Sequence, residues 1–272
     1  MKRSFRILIL LVILFLLILD SQCRITVSRY SVSAPSLPAN FPEMKIIQLS
    51  DIHGREFGPN NKRLLQAIEK EAPDIIAITG DLVNDETDIP AMLGLLEKLS
   101  AIAPCYYVTG NHEWSTGAVS RLKEDIASAG ATVMDNRWAI LQNGLPPVLL
   151  VGVDDPNGPA DMIQPDTLIQ KIRSQYPDSF LLLLGHRNDW TDKYPLLDVD
   201  LILCGHGHGG LIRLPIVGGI FGTSRNLFPE HTEGIIHTDR YSMIVSRGLG
   251  NSAGTFRLFN NPEIISVLLK KL

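Results

Sequence analysis

Residues 7–19 form an uninterrupted apolar run behind Lys2, Arg3 and Arg6, closed by Asp20, Ser21, Gln22 and Cys23. A run with no polar face does not suit a protein surface. Its 13 residues match the apolar region of a signal sequence and fall short of the ~20 that span a bilayer comfortably. No small-x-small cleavage site follows closely, and Cys23 lacks the aliphatic and small residues that precede a lipidated cysteine. The pattern predicts an uncleaved single-pass membrane anchor over residues 1–22, lengthened by Phe5 and by snorkelled ends. By the positive-inside rule, Lys2, Arg3 and Arg6 place the rest of the chain on the outer face of the membrane, with Arg24 and Arg29 counting against that orientation. Residues 23–43, rich in Ser, Pro and Ala, read as a tether.

From Met44 onward, short apolar runs alternate with amphipathic segments, the pattern of strands and helices layered around a sheet. Strands are expected at 46–49, 75–79, 106–108, 148–153, 180–184 and 201–204. Helices are expected at 62–71, 91–102, 119–129 and 167–173, the first with Leu64, Leu65 and Ile68 on one face. A later group, 211–214, 241–245, 256–259 and 264–269, has no comparable helices between its members, which predicts a second sheet packed on the first. No linker divides this body, so residues 44–272 read as one α/β domain with two sheets.

Composition narrows the function. Lys+Arg 25 against Asp+Glu 29 leaves a net charge of -4, so no basic field gathers phosphate backbones and general nucleic-acid binding is disfavoured. Cys23, Cys105 and Cys204 are widely spaced with no Cys-x-x-Cys pair, which excludes a disulfide scaffold and a zinc ribbon.

The chemistry sits where the strands end, at clusters of Asp, His or Asn with Gly; open α/β sheets bind their ligands there. Asp51-Ile52-His53 can aim two donors at one cation, although alone it reads more readily as a turn aspartate beside a solvated histidine. In Gly80-Asp81-Leu82-Val83-Asn84 the glycine permits a sharp turn that leaves a carboxylate able to bridge two metals, or to cap a helix. Gly110-Asn111-His112-Glu113 offers an amide oxygen and an imidazole, or an asparagine turn. Gly185-His186-Arg187-Asn188-Asp189 follows four leucines, so His186 is either a ligand or a satisfied strand-edge residue. In Gly205-His206-Gly207-His208-Gly209-Gly210, glycines around two imidazoles fit a backbone bent about a metal; a phosphate cradle of amides would not need the histidines. Five of the seven histidines fall in these clusters, and His231 and His237 remain as surface or loop residues.

Read in order, these clusters resemble the calcineurin-like metallophosphoesterase superfamily over residues 44–269. Residues 46–51, 209–215, 246–250 and 262–264 look like its branch of membrane-associated bacterial phosphodiesterases, the YaeI/YkuE-like branch, some members of which hydrolyse the pyrophosphate of UDP-diacylglucosamine in lipid A synthesis. The resemblance implies a four-layer α/β/β/α sandwich with two divalent cations held between loops. It assigns Asp51, His53, Asp81 and His208 to the first cation and Asp81, Asn111, His186 and His206 to the second, with Asp81 as the bridge. It makes His112 the imidazole that contacts the scissile phosphate and assists the leaving oxygen. Asn188 stands where many relatives have proline and Asn84 where many have a second aspartate; neither is a ligand, so these departures bear on substrate choice more than on metal binding.

A carboxylate-bridged pair of cations ~3.5–4 Å apart binds a hydroxide ready for in-line attack on phosphorus, so no side-chain nucleophile is needed. A protonated His112 can donate to the departing oxygen. Imidazole mixed with carboxylate suits Mn, Fe, Zn or Co better than Mg or Ca, and manganese is favoured. Arg187, Arg213 and Arg247 are candidate phosphate contacts or salt-bridge partners. Residues 216–240, with Ile220, Phe221, Arg225, Leu227, Phe228 and His231, form a surface loop or an apolar flap that meets lipid. The expected function is hydrolysis of phosphodiester or pyrophosphate bonds at a membrane, in a phosphorylated small molecule or a lipid-linked substrate. The alternatives are a phosphomonoesterase or nucleotide phosphatase of the cell envelope, and a non-catalytic metal-binding scaffold, against which the full set of ligands and His112 argue.

Overall fold

The computed structural model describes residues 2–142, 144, 146–158, 163–223, 226–251 and 256–272. In chain order the elements are α1 (Lys2–Cys23), β1 (Thr26–Ala34), β2 (Met44–Leu49), α2 (Lys62–Glu71), β3 (Ile75–Thr79), α3 (Ile89–Ser100), β4 (Cys105–Val108), α4 (Asn111–Ser115) and α5 (Val119–Ser128). There follow β5 (Ala131–Val133), β6 (Arg137–Gln142), β7 (Val148–Gly152), α6 (Pro165–Gln175), β8 (Phe180–Leu184), α7 (Trp190–Lys193) and β9 (Leu201–Cys204). The last five are β10 (Ile212–Leu214), β11 (Gly218–Phe221), β12 (Gly234–His237), β13 (Ser242–Val245) and β14 (Glu263–Lys271).

Two six-stranded sheets, ordered β1-β14-β2-β3-β4-β5 and β12-β13-β9-β8-β7-β6, lie face to face. The alternation of side chains along a strand explains why the central strands read as unbroken apolar runs: both faces of each sheet are covered. In β8, Phe180, Leu182 and Leu184 point into the core between the sheets, while Leu181 and Leu183 pack against Ile169 and Ile172 of α6. In β2, Ile46 faces the other sheet, whereas Ile47 and Leu49 join Leu64 and Ile68 of α2 and Leu96 of α3. Helices on the outer face of each sheet complete the α/β/β/α sandwich.

Three expectations need correction. The late strands do not form a sheet of their own: β14 pairs antiparallel with β2 in the first sheet, and β13 pairs parallel with β9 in the second. Strands 148–153, 180–184 and 201–204, expected alongside 46–49, therefore belong to the opposite sheet. Of the strand expected at 256–259, only an isolated bridge from Leu258 to Ile212 is present.

The supposed tether is the third. Residues 26–34 pair in parallel with β14 along the whole of β1, and Leu37 and Phe41 are buried in the core between the sheets. Tyr30, Val32 and Ala34 alternate toward that core, a period-two signal that the serines between them obscured.

α1 projects from this body with its apolar side chains exposed, and its window Ser4–Cys23 is 6% buried. By length and composition it is long and apolar enough to cross a membrane.

Candidate metal centre

Asp51 and His53 lie beyond β2, Asp81 beyond β3, and Asn111 and His112 open α4 after β4, all in the first sheet. His186 follows β8, and His206 and His208 follow β9, in the second. The carboxyl ends of these parallel strands face the same side, so five loops from two sheets meet in one place.

The turns that bring them in are sharp. Asp51, His53, Asp81, His206 and His208 have φ of 51°, 50°, 51°, 67° and 46°, a left-handed conformation that costs a non-glycine residue about 1 kcal/mol or more. Five of the expected ligands share this strain. Gly80 (φ 83°) has no substitute, since a Cβ there would lie 2.6 Å from the Gly110 nitrogen and 2.7 Å from His186 Nδ1.

The donor atoms converge in two groups that share Asp81. Ligand atoms of Asp51, His53, Asp81 and His208 all lie within 4.8 Å of one another, and so do those of Asp81, His186 and His206. In the first group His53 Nε2 and His208 Nε2 are 3.1 Å apart, His53 Nε2 is 3.6 Å from Asp81 Oδ2, and His208 Nε2 is 3.4 Å from Asp51 Oδ1. In the second, His186 Nε2 is 3.2 Å from each of Asp81 Oδ2, Asn111 Oδ1 and His206 Nδ1. Asn111 Oδ1 thus lies beside the second group.

The site fits divalent cations on a test internal to it. His186 Nδ1 donates to the Thr79 carbonyl at 2.8 Å, which orients the ring and turns Nε2 toward Asp81, Asn111 and His206. Imidazole nitrogens facing each other at 3.1–3.2 Å beside carboxylates are a donor set suited to a cation between them.

Burial keeps His53 and His206 neutral, with values near about 3 and about 2, and holds His208 well below its ordinary value. Burial pushes the Asp51 carboxyl up to about 6. Burial also opposes ionisation of Asp81, but the surrounding imidazoles, His186 foremost, hold its carboxyl far below the usual range. For His186, burial works against a proton and Asp81 outweighs it, carrying the imidazole up to about 10. A proton on His186 therefore occupies the nitrogen a cation would take.

His112 stands at the rim, its ring edge-on to His53 with centroids 4.6 Å apart and its backbone nitrogen donating to Asp81 Oδ1 at 2.9 Å. Arg187 reaches the centre: Asp155 grips it at 2.6 and 3.0 Å, and Nη1 lies 3.0 Å from His206 Nε2. Arg187 and His206 line a cavity of about 590 Å³ with Asn188, Asn226, Phe228 and His231. Arg213 and Arg247 are not brought to the donor atoms. Glu233 pairs with both, Arg213 Nη1 donates to the Gly209 carbonyl at 2.6 Å, and Arg247 Nη2 pairs with Glu263 at 3.0 Å. His237 is an exposed residue bonded to Ser242, and Arg225 lies outside the described residues.

Three supporting residues had no assigned role in the sequence. Glu113, fully buried, accepts from the amides of Asp81, Leu82, Val83 and Gly110. Its place three residues after Gly110, that of a capping-box acid, is the signal for it. Ser50 Oγ donates to Asp51 Oδ2 at 2.6 Å. Arg257, also fully buried, places Nη2 3.4 Å from His208 Nδ1, and no motif surrounds it.

The chain is similar to metallophosphoesterase YkuE of Bacillus subtilis (strain 168), at 28% identity over 90% of this chain and 86% of that protein. It is similar to phosphodiesterase YaeI of Escherichia coli (strain K12), at 28% identity over 83% of this chain and 82% of that one. A zebrafish (Danio rerio) "Transmembrane protein with metallophosphoesterase domain" matches at 24% identity over 88% of this chain and 56% of its own length. The profile of the calcineurin-like phosphoesterases matches residues 44–210, which hold every donor described above. With its fold, its shared carboxylate and that match, the chain belongs to the calcineurin-like phosphoesterases, a family of metal-dependent phosphoric ester hydrolases.

Proposed function

We propose that this protein hydrolyses phosphodiester or pyrophosphate bonds at a membrane surface, using two divalent cations of which manganese fits best. The observation that carries the reading is the Asp81 carboxylate shared by two convergent donor groups. When bound there, the cations neutralise phosphate oxygens and acidify a water molecule enough for it to attack phosphorus near neutral pH. Asp51, His53, Asp81 and His208 hold the first, and Asp81, Asn111, His186 and His206 the second. His112, beside His53, donates a proton to the departing oxygen. Arg187, aligned by Asp155 at the cavity wall, meets a phosphate oxygen. Arg213 and Arg247 act at one remove, Arg213 by holding the Gly209 carbonyl of the fifth loop.

The substrate is a phosphorylated small molecule or a lipid-linked one such as UDP-diacylglucosamine. Exposed Ile216, Val217, Leu227 and Phe228 support the lipid-linked choice, since Phe228 also lines the cavity beside His206. The α1 helix is the anchor, and Lys2, Arg3 and Arg6 before it favour the outer face of the membrane for the domain.

The test uses the full chain in detergent, with bis-p-nitrophenyl phosphate, p-nitrophenyl phosphate and UDP-diacylglucosamine as substrates, each with and without manganese. Metal-dependent turnover of the diester or the lipid pyrophosphate is expected. A preference for the monoester points to a phosphatase, and no metal-dependent turnover of any of the three overturns the reading.

A further inference from the structure

The last turn of α1 is fastened to the domain. Ser21 is 2% exposed at the end of an otherwise bare helix, and its Oγ accepts from the Phe259 nitrogen at 2.8 Å. Gln22 Nε2 donates to the Arg257 carbonyl at 2.7 Å, and Gln22 Oε1 accepts from Asn251 Nδ2 at 3.1 Å. Asn261 Nδ2 donates to the Asp20 carbonyl at 2.7 Å, and Arg55 and Arg63 donate to the carbonyls of Gln22 and Cys23.

Among the described residues, the two stretches so held touch Asp51 and His208 of the first donor group. The Gly250 nitrogen donates to the Asp51 carbonyl at 2.6 Å and the Leu249 nitrogen to the Ser50 carbonyl at 3.0 Å. Asn260 Nδ2 donates to the His208 carbonyl at 2.6 Å, and Arg257 Nη2 faces His208 Nδ1 at 3.4 Å. Gln22 Oε1 and Arg257 Nε meet at the Asn251 amide, whose Nδ2 donates to the first at 3.1 Å and whose Oδ1 accepts from the second at 2.7 Å. That bond, with those to the Gly250 and Arg247 carbonyls, keeps a buried guanidinium fixed beside His208. The second donor group is braced differently, through Thr79 on His186 and Glu113 on the loops of Asp81 and Asn111.

We propose that Ser21 and Gln22 are positioning residues for the first cation site, that of Asp51, His53, Asp81 and His208, so that the helix end is a working part of the metal centre. The inference rests on the reading that the centre binds two cations. Losing these bonds removes the hold on the Arg257 backbone and on the Asn251 amide, and so loosens the segment that faces His208, while the second site keeps its supports.

The experiment compares the full chain in detergent with Gln22→Met, alone and with Ser21→Ala, during manganese titration. Calorimetry counts and ranks the sites, and electron paramagnetic resonance separates a lone ion from an exchange-coupled pair. One of the two affinities should fall by about 10- to 100-fold in the variants, as for other outer supports of a metal ligand. At manganese levels that give the parent a coupled pair, the variants should show a lone-ion spectrum, with amide exchange rising in residues 247–251 and 208–211. Unchanged affinities overturn the proposal, and so does an equal fall at both sites, which would report general loosening. A parent chain that binds no manganese would instead sink the metal-centre reading itself.

Discussion

Glu113 holds the loop of Asp81, the residue common to both donor groups, from behind: its Oε2 accepts from the backbone nitrogen of Asp81 at 3.0 Å. The same carboxylate takes amides from Leu82 at 2.6 Å and Gly110 at 2.6 Å, so the second and third loops share one buried anchor. Glu113→Gln puts an amide NH2 against backbone donors that need an acceptor. The cost is about 2–3 kcal/mol, with a lower Tm and less cation bound at equilibrium. Thermal denaturation together with metal analysis checks this; a variant matching the parent in both would show that the anchor is dispensable.

Asp81 and Asp51 differ in reach. Asp81 belongs to both donor groups and Asp51 to one. Asp81→Asn should therefore strip both cations and take diester hydrolysis to background, whereas Asp51→Asn should leave close to one cation per chain. Elemental analysis after gel filtration distinguishes them. Full occupancy in Asp81→Asn would mean the carboxylate does not bridge.

His112 is next to the donors without being one of them, its Nδ1 lying 3.4 Å from the Asn84 carbonyl. Removing a general acid slows a reaction by about 10²- to 10⁴-fold. His112→Ala should lose that much in kcat with its metal content intact, and the loss should shrink for an activated leaving group such as p-nitrophenolate that needs no proton. A drop in bound metal would make His112 a ligand instead.

The anchor and the centre should separate if the cut is placed correctly. Deleting residues 2–16 removes most of the apolar surface of α1 but keeps Ser21, Gln22 and their bonds to Phe259 and Arg257. The shortened chain should leave the membrane fraction and hydrolyse a soluble diester at the parent's rate. Continued sedimentation with membranes would assign anchoring to other residues.

Most of the donors were legible because chemistry concentrates them: few core positions explain His206 and His208 among glycines. The clusters did not reveal which sheet each loop leaves, because an interior strand such as β8 is apolar on both faces whichever sheet it occupies. β1 was lost to its serines, which suit an edge strand as well as a linker. Arg257 was invisible because its role depends on segments distant in sequence, Gln22 and His208, meeting around it.

Asp154 offers a test of electrostatics away from the donors. It is buried, accepts from Thr109 Oγ1 at 2.9 Å and pairs with Lys123 at 2.8 Å, while Lys123 also serves Asp135 at 3.0 Å. Burial, with Asp135 sharing the one ammonium, pushes its carboxyl from 3.8 up to about 7. Below about pH 4 the folded and unfolded chains both carry this proton, and the group adds no pH dependence. Between there and about 7 the unfolded chain releases the proton and the folded chain keeps it, so stability falls as pH rises, by at most ~1.4 kcal/mol per unit. Above that range both are ionised and the loss is complete. Asp154→Asn removes the titration, so the difference in unfolding free energy should move in the variant's favour from about pH 4.5 to 7 and then level off. Urea denaturation across that range at fixed metal measures it. A difference that stays constant would mean Lys123 keeps Asp154 ionised throughout.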